Sequence, residues 1–165
     1  MRHPYRIALL MLALLAAGCA GEAITPALYT SLATSRAAVN ADEARAIINR
    51  YRETKGLQPL AIDQTLMHEA AAHARDMAAH NKLGHNVSRG SLTKRLAARG
   101  ITPALAAENV SAGYHTLADA FSGWRGSPPH NTNLLRAGVQ RMGIAAAYAP
   151  DSKYKVYWAF IVVGN

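Results

Sequence analysis

The chain has 165 residues, 50% of hydrophobic type, a single cysteine and a formal net charge of +8. That length and apolar content suit one globular domain with its own core, and a lone cysteine excludes an intrachain disulfide. The basic residues are scattered, with one cluster at Lys94, Arg95 and Arg99 and no interleaved aromatics, which argues against nucleic-acid readout. They read as a solvated surface, with attraction to anionic lipid or wall polymer as the alternative.

The first elements in chain order are those of a leader. Arg2, His3 and Arg6 give a basic start, Ile7 to Ala16 is an unbroken apolar run of ten residues, and Ala17-Gly18-Cys19 follows. This is the pattern of a secretory signal, and the run is too short for a bilayer span, which needs ~20 apolar residues. Leu14-Leu15-Ala16-Ala17-Gly18-Cys19 resembles a bacterial lipobox, with Ala16 where Leu is usual. The resemblance implies cleavage before Cys19 and a diacylglycerol on its sulfur, and acyl chains at ~0.8 kcal/mol per buried CH₂ would hold the protein to a membrane. Loss of Arg2 and Arg6 with the leader lowers the formal charge from +8 to +6. The resulting layout is a signal peptide over 1–18, a lipidated Cys19 with a flexible tether over 19–39, rich in Ala, Ser and Thr, and a domain over 40–165.

Asn40 followed by Glu43 marks a helix start with a capping-box partner. Ile47, Ile48 and Tyr51 give its apolar stripe, and Lys55-Gly56 its end. Asp63 caps a second helix over about 64–82, in which Leu66, Ala70, Ala74 and Met77 recur at helical spacing. Its His68-Glu69-Ala70-Ala71-Ala72-His73 is not a zinc-protease motif, because imidazoles at i and i+5 point ~140° apart. His68 and His80 read as surface residues, and His73 as a hydrogen-bonded residue at the edge of the core. Gly84 can stop this helix and let His85 project from the turn.

Ser91 caps a short helix from Leu92 to Arg99, and Gly100 ends it. Glu108 to Tyr114 reads as an extended segment leading into a loop. Thr116 caps a helix whose face carries Leu117, Ala120, Phe121 and Trp124. Pro128 and Pro129 end it, and residues 131–136 form a short helical turn. Val139–Tyr148 and Tyr154–Val163 are two strands joined as a hairpin. Tyr154, Val156, Trp158, Phe160 and Val162 alternate with Tyr157, Ala159, Ile161 and Val163, so the last strand is apolar on both faces and needs cover on both. The expected fold is a single α/β domain, an α/β/α sandwich with a small, mainly antiparallel sheet.

Three polar residues are the site candidates. Glu108 lies among Ala106, Ala107 and Val110, where a buried carboxylate needs a donor or counter-charge. His130 follows two prolines that restrict how its ring is presented, and His85 sits in a glycine turn. They are expected to converge on one surface cleft, with Ser127 and Asn109 beside them.

Leu66, Ala70, Met77 and His85, then Glu108-Asn109 with Gly113, then the run from Trp124 through Ser127-Pro128-Pro129-His130-Asn131 to Leu135, then Met142-Gly143-Ile144-Ala145, resemble the CAP superfamily. This is the group of cysteine-rich secretory, antigen 5 and pathogenesis-related-1 proteins, also called the SCP domain, and the likeness is to its bacterial, disulfide-free branch. It covers about 40–163. The resemblance implies an α/β/α sandwich with a large open cavity lined by two histidines and two acidic residues. His85, Glu108 and His130 match three of those four, and the fourth falls on Ser127; Asp119 could replace it only if its helix turned it inward.

Three functions follow as expectations. The first is an extracytoplasmic binding module, lipid-anchored to a bacterial membrane and periplasm-facing or at the cell surface, whose cleft holds a lipid, sterol-like or cell-wall ligand, a class with precedent among sterol- and fatty-acid-binding members of the family. The second is a divalent-metal site, Zn²⁺ or another cation, on His85, His130 and Glu108, with hydrolysis as its extension. The third is an architectural hydrogen-bond network. No Ser-His-Asp or Gly-x-Ser-x-Gly arrangement points to nucleophilic chemistry, and no catalytic residue is assigned.

Overall fold

The last strand organises the molecule in the computed structural model, which describes residues 26–165. β4 (Val156–Gly164) is buried along its whole length. Val156, Trp158, Phe160 and Val162 enter one apolar cluster, and Tyr157, Ala159, Ile161 and Val163 enter the other. A strand apolar on both faces becomes the middle of a sandwich, and here β4 lies between β3 (Arg141–Tyr148) and β2 (Leu105–Ala112), antiparallel to both. A two-residue strand, β1 (Ala61–Ile62), adds to β3 in parallel, giving the order β1-β3-β4-β2. The sheet is mainly antiparallel, as expected, and β2 is its edge.

Helices cover both faces. α1 (Ala41–Glu53), α4 (Leu117–Gly126) and α5 (Pro128–Leu134) pack with the Trp158 side, where Trp124 stacks on Phe160 and meets Trp158 edge-on. α2 (Gln64–Ala79) and α3 (Leu92–Ala97) cover the Tyr157 side. The side chains of Asn40, Asp63, Ser91 and Thr116 each accept a backbone N–H of the first turn that follows, which is why the four helices start where the sequence places them. α2 lies close against β3 because Gly143 has no side chain; a Cβ there would sit 2.2 Å from the Leu66 carbonyl carbon.

Four expectations need correction. The stretch read as a tether is packed from residue 28 on: Leu32 is buried, Leu28, Ala33, Ala37 and Val39 pack on the same cluster, and the Leu32 N–H donates to the His115 carbonyl at 2.7 Å. α2 ends at Ala79 rather than near Lys82. The residue that turns the chain is Asn81, at φ +47, and its side-chain oxygen accepts from Ser152 and Tyr157. Pro128 and Pro129 begin α5, since proline at the first helical positions gives up only an N–H that would be unpaired anyway. Tyr154 packs with Tyr157 rather than with Val156, because Lys155 at φ +62 breaks the strand alternation between them. The leader, the lipobox and Cys19 lie outside the described residues, and among those described no helix is long and apolar enough to cross a membrane.

Candidate functional site

Strand β2 decides where the site residues go. Successive residues of a strand face opposite sides. Glu108, opposite Ile161, turns to the α2–α3 layer, and Asn109, opposite Phe160, turns to the layer holding α5.

On the α2–α3 side, Glu108 is buried with both oxygens engaged. Oε2 accepts the His85 Nδ1–H at 2.8 Å, and Oε1 accepts Arg95 Nη2 at 2.7 Å. Arg95, 1% exposed, reaches on with Nη1 to Glu69 Oε1 at 3.2 Å. Glu69, fully buried on α2, is held by Arg89 at 2.7 and 3.0 Å and by Arg99 at 2.6 Å. The result is a continuous chain of charge from the half-exposed Arg89 and Arg99 through Glu69, Arg95 and Glu108 to His85. Buried carboxylates require such partners, and desolvation of Glu69 is outweighed by its three guanidiniums, which leave its pKa below the usual glutamate value.

The imidazole at the end of this chain is exposed: 57% of the His85 side chain meets solvent. Its hydrogen bond to Glu108 is the largest cause of a raised pKa, against burial, which acts the other way. With Nδ1–H fixed on the carboxylate, Nε2 is the atom left for a ligand or a proton. Behind it lies a second imidazole. His73, fully buried on α2, donates Nε2–H to the Gly84 carbonyl at 3.0 Å and stands 3.8 Å from Glu108 Oε2. Burial lowers its pKa, which favours the neutral ring, and its Nδ1 has no partner among the described residues.

On the α5 side, Asn109 donates to the His130 carbonyl at 3.0 Å. Asn133 donates to the Glu108 carbonyl at 3.0 Å and to the Asn109 side chain at 2.9 Å. These bonds fasten α5 along the free edge of β2. The His130 ring meets Ser127, Nδ1 to Oγ at 2.8 Å, and makes no hydrogen bond to His85 or Glu108. The structure therefore joins His85 to Glu108 directly and His130 to them only through Asn109 and the β2 backbone.

Residues 46–165 match the family model of CAP, the cysteine-rich secretory protein family. The chain belongs to the CAP family. Among its relatives is YkwD, an uncharacterized protein of Bacillus subtilis strain 168, 31% identical over 129 residues that cover 76% of this chain and 50% of YkwD. This chain thus spans about half the length of that relative. An extracellular SCP-domain protein of Bacillus anthracis superposes with a TM-score of 0.66 at 26% identity, over 75% of this chain and 40% of that one. An outer surface protein of Borrelia burgdorferi, at 18% identity, shares the fold with a TM-score of 0.68, over 78% of this chain and 98% of that one.

Of the expected cation site, the structure pairs His85 with Glu108 and sets the His130 ring against Ser127. Among the described residues no group of three or more His, Cys, Asp or Glu side chains is placed to hold a metal ion. Arg95 holds the second Glu108 oxygen, and no hydrogen bond joins the His130 ring to His85 or Glu108.

Sequence reasoning missed Arg95 and Glu69. The Lys94-Arg95-Arg99 cluster read as surface charge, yet Arg95 on α3 and Arg99 in the turn after it both meet Glu69. The available signal was Glu69 itself, placed between Leu66, Ala70 and His73 on the buried face of α2, where a carboxylate demands cations.

Proposed function

We propose that this CAP domain is an extracytoplasmic, lipid-anchored binding module that takes a lipid-like or cell-envelope ligand through a hydrogen-bond acceptor or acidic group at His85. The observation that carries the reading is the exposed imidazole whose orientation is fixed by a buried, guanidinium-held carboxylate. A ring held in one orientation loses little freedom on binding, and its raised pKa favours the cationic form, whose Nε2–H selects for an anionic or strongly accepting group. The basic leader, the lipobox ending at Cys19, and the extracellular and outer-surface descriptions of the structural relatives support the location and the anchor. Ser127 and His130 belong to the α5 half, where the satisfied bonds of Asn109 and Asn133 favour an architectural role.

The test is fractionation followed by mass spectrometry of what co-purifies from native envelope. Wild-type protein is expected in the membrane fraction carrying a ligand, Cys19→Ser in the soluble fraction, and His85→Ala depleted of the ligand with His130→Ala retaining it. A ligand retained equally by His85→Ala overturns the assignment of the site, and a membrane-bound Cys19→Ser overturns the anchor.

A further inference from the structure

A second buried cation lies in the other layer, away from His85, and it has no carboxylate. Arg52, on α1, is 1% exposed. Of the five N–H donors of a guanidinium, Nε donates to the Gln58 carbonyl at 3.0 Å, and Nη1 donates to the carbonyls of Leu134 at 2.8 Å and Arg136 at 3.1 Å. Nη2 makes no hydrogen bond, and Arg52 forms no ion pair, among the described residues. Burial lowers its pKa with no acid to oppose the shift. The adjacent Arg136 leaves its own Nε buried without a partner among the described residues, so positive charge here is in excess.

Arg52 also lines a hollow of about 230 Å³ between the end of α1 and the loop that enters β3, with Leu57, Ala137, Gly138 and Val139 among its walls. The backbone N–H groups of Ala137 and Gly138 make no hydrogen bond among the described residues, and Gly138 has φ +77. The hollow thus combines one uncompensated buried charge, unused donors and small apolar walls. A buried charge without a partner is costly, and the three carbonyls align the guanidinium without neutralising it. One cation with a single free nitrogen matches a monovalent oxyanion. The aliphatic walls suit a carbon stem, which inorganic phosphate lacks.

We propose that Arg52 and the loop from Ala137 to Gln140 form a second ligand site, one that takes a carboxylate carried on a short aliphatic stem. The site is independent of the reading given for His85.

The test is a titration of the full-length ¹⁵N-labelled protein in detergent with sodium acetate and with N-acetylalanine, at constant ionic strength made up with sodium chloride, followed by amide chemical shifts. The expected result is saturable shifts at Gly56, Leu57, Gly138 and Gln140 with both carboxylates, larger than any at His85. Inorganic phosphate in the same buffer is expected to leave them unchanged. Arg52→Met is expected to weaken the midpoint about tenfold or more, the consequence of losing a charge-assisted hydrogen bond. The absence of saturation in wild-type protein overturns the proposal, as does an equal response to phosphate. Shifts confined to His85 and Glu108 also overturn it, while leaving the first site standing. If Arg52→Met does not fold, the wild-type shift map decides alone.

Discussion

The Nδ1 of His85 lies 2.8 Å from a carboxylate oxygen of Glu108, a side chain that is itself buried and bound on its other oxygen by Arg95. The buried carboxylate therefore favours the protonated form of the surface imidazole. His85 is expected to show a midpoint above the ordinary value of 6.5. A folded-state pKa raised in this way contributes stability that is fully present below the unfolded value and is lost as pH rises through the folded one. Glu108→Gln removes the charge that raises it, and NMR titration of the ring should record the midpoint falling back toward or below 6.5. A midpoint unmoved by Glu108→Gln contradicts the pairing.

His73 is expected to do the reverse. It is buried beside the same carboxylate, and burial holds its pKa below 6.5. The unfolded chain takes up the proton first, so stability falls as pH drops below 6.5, down to the folded-state pKa. The two histidines on Glu108 thus act in opposite directions, His73 weakening the fold on the acid side and His85 on the alkaline side. Urea unfolding of His73→Leu across this range should show a shallower acid dependence than wild type. The same slope in both proteins contradicts a buried neutral His73.

Glu69 sits at the centre of the buried charge chain, and its replacement leaves Arg95 with Glu108 alone. Glu69→Gln is expected to cost about 3–5 kcal/mol, the range for removing one partner of a buried ion pair. Glu69→Leu combined with Arg95→Met should recover part of that loss, because it removes both desolvated charges. A double-mutant cycle in urea measures the coupling. A cost below about 1 kcal/mol, the range of exposed pairs, would show that the network behaves as a surface one. Since the Glu69 pKa is lowered from 4.5, its contribution is present above that value and is lost as pH falls through the folded-state pKa.

These three predictions rest on parts of the molecule that were unequally legible in the sequence. The two-faced β4 and the four N-caps could be read directly, because alternation and capping are local and each residue carries its own signal. β1 could not, since two residues carry no period and only the partner β3 defines it. Arg95 was hidden because its partners Glu69 and Glu108 lie 26 and 13 residues away, and a basic run looks the same whether it is solvated or buried. The expected grouping of His85, Glu108 and His130 is linked in two ways: with residues 108–114 extended, neighbours Glu108 and Asn109 face opposite layers, so Glu108 meets the His85 ring and Asn109 meets the His130 backbone.

Gly143 tests how α2, which carries Glu69 and His73, is set against the sheet. The residue is buried on β3, opposite Ile161 of β4, and its φ is not in the left-handed region, so the backbone would accept any side chain. What forbids one is distance. A Cβ would meet the Leu66 carbonyl carbon at 2.2 Å, its oxygen at 2.3 Å and the Met67 nitrogen at 2.5 Å, all backbone atoms of the first turn of α2. No rotamer change relieves such a contact, so the helix itself must move away from the strand. That displacement loosens Leu66 and Ala70 in the core and shifts Glu69 relative to Arg95. Gly143→Ala is therefore expected to cost at least the ~1–3 kcal/mol typical of overpacking, and to raise hydrogen exchange along α2 more than along α1. If Gly143→Ala unfolds at the wild-type urea midpoint with unchanged exchange in α2, this close approach does not position the buried charge chain.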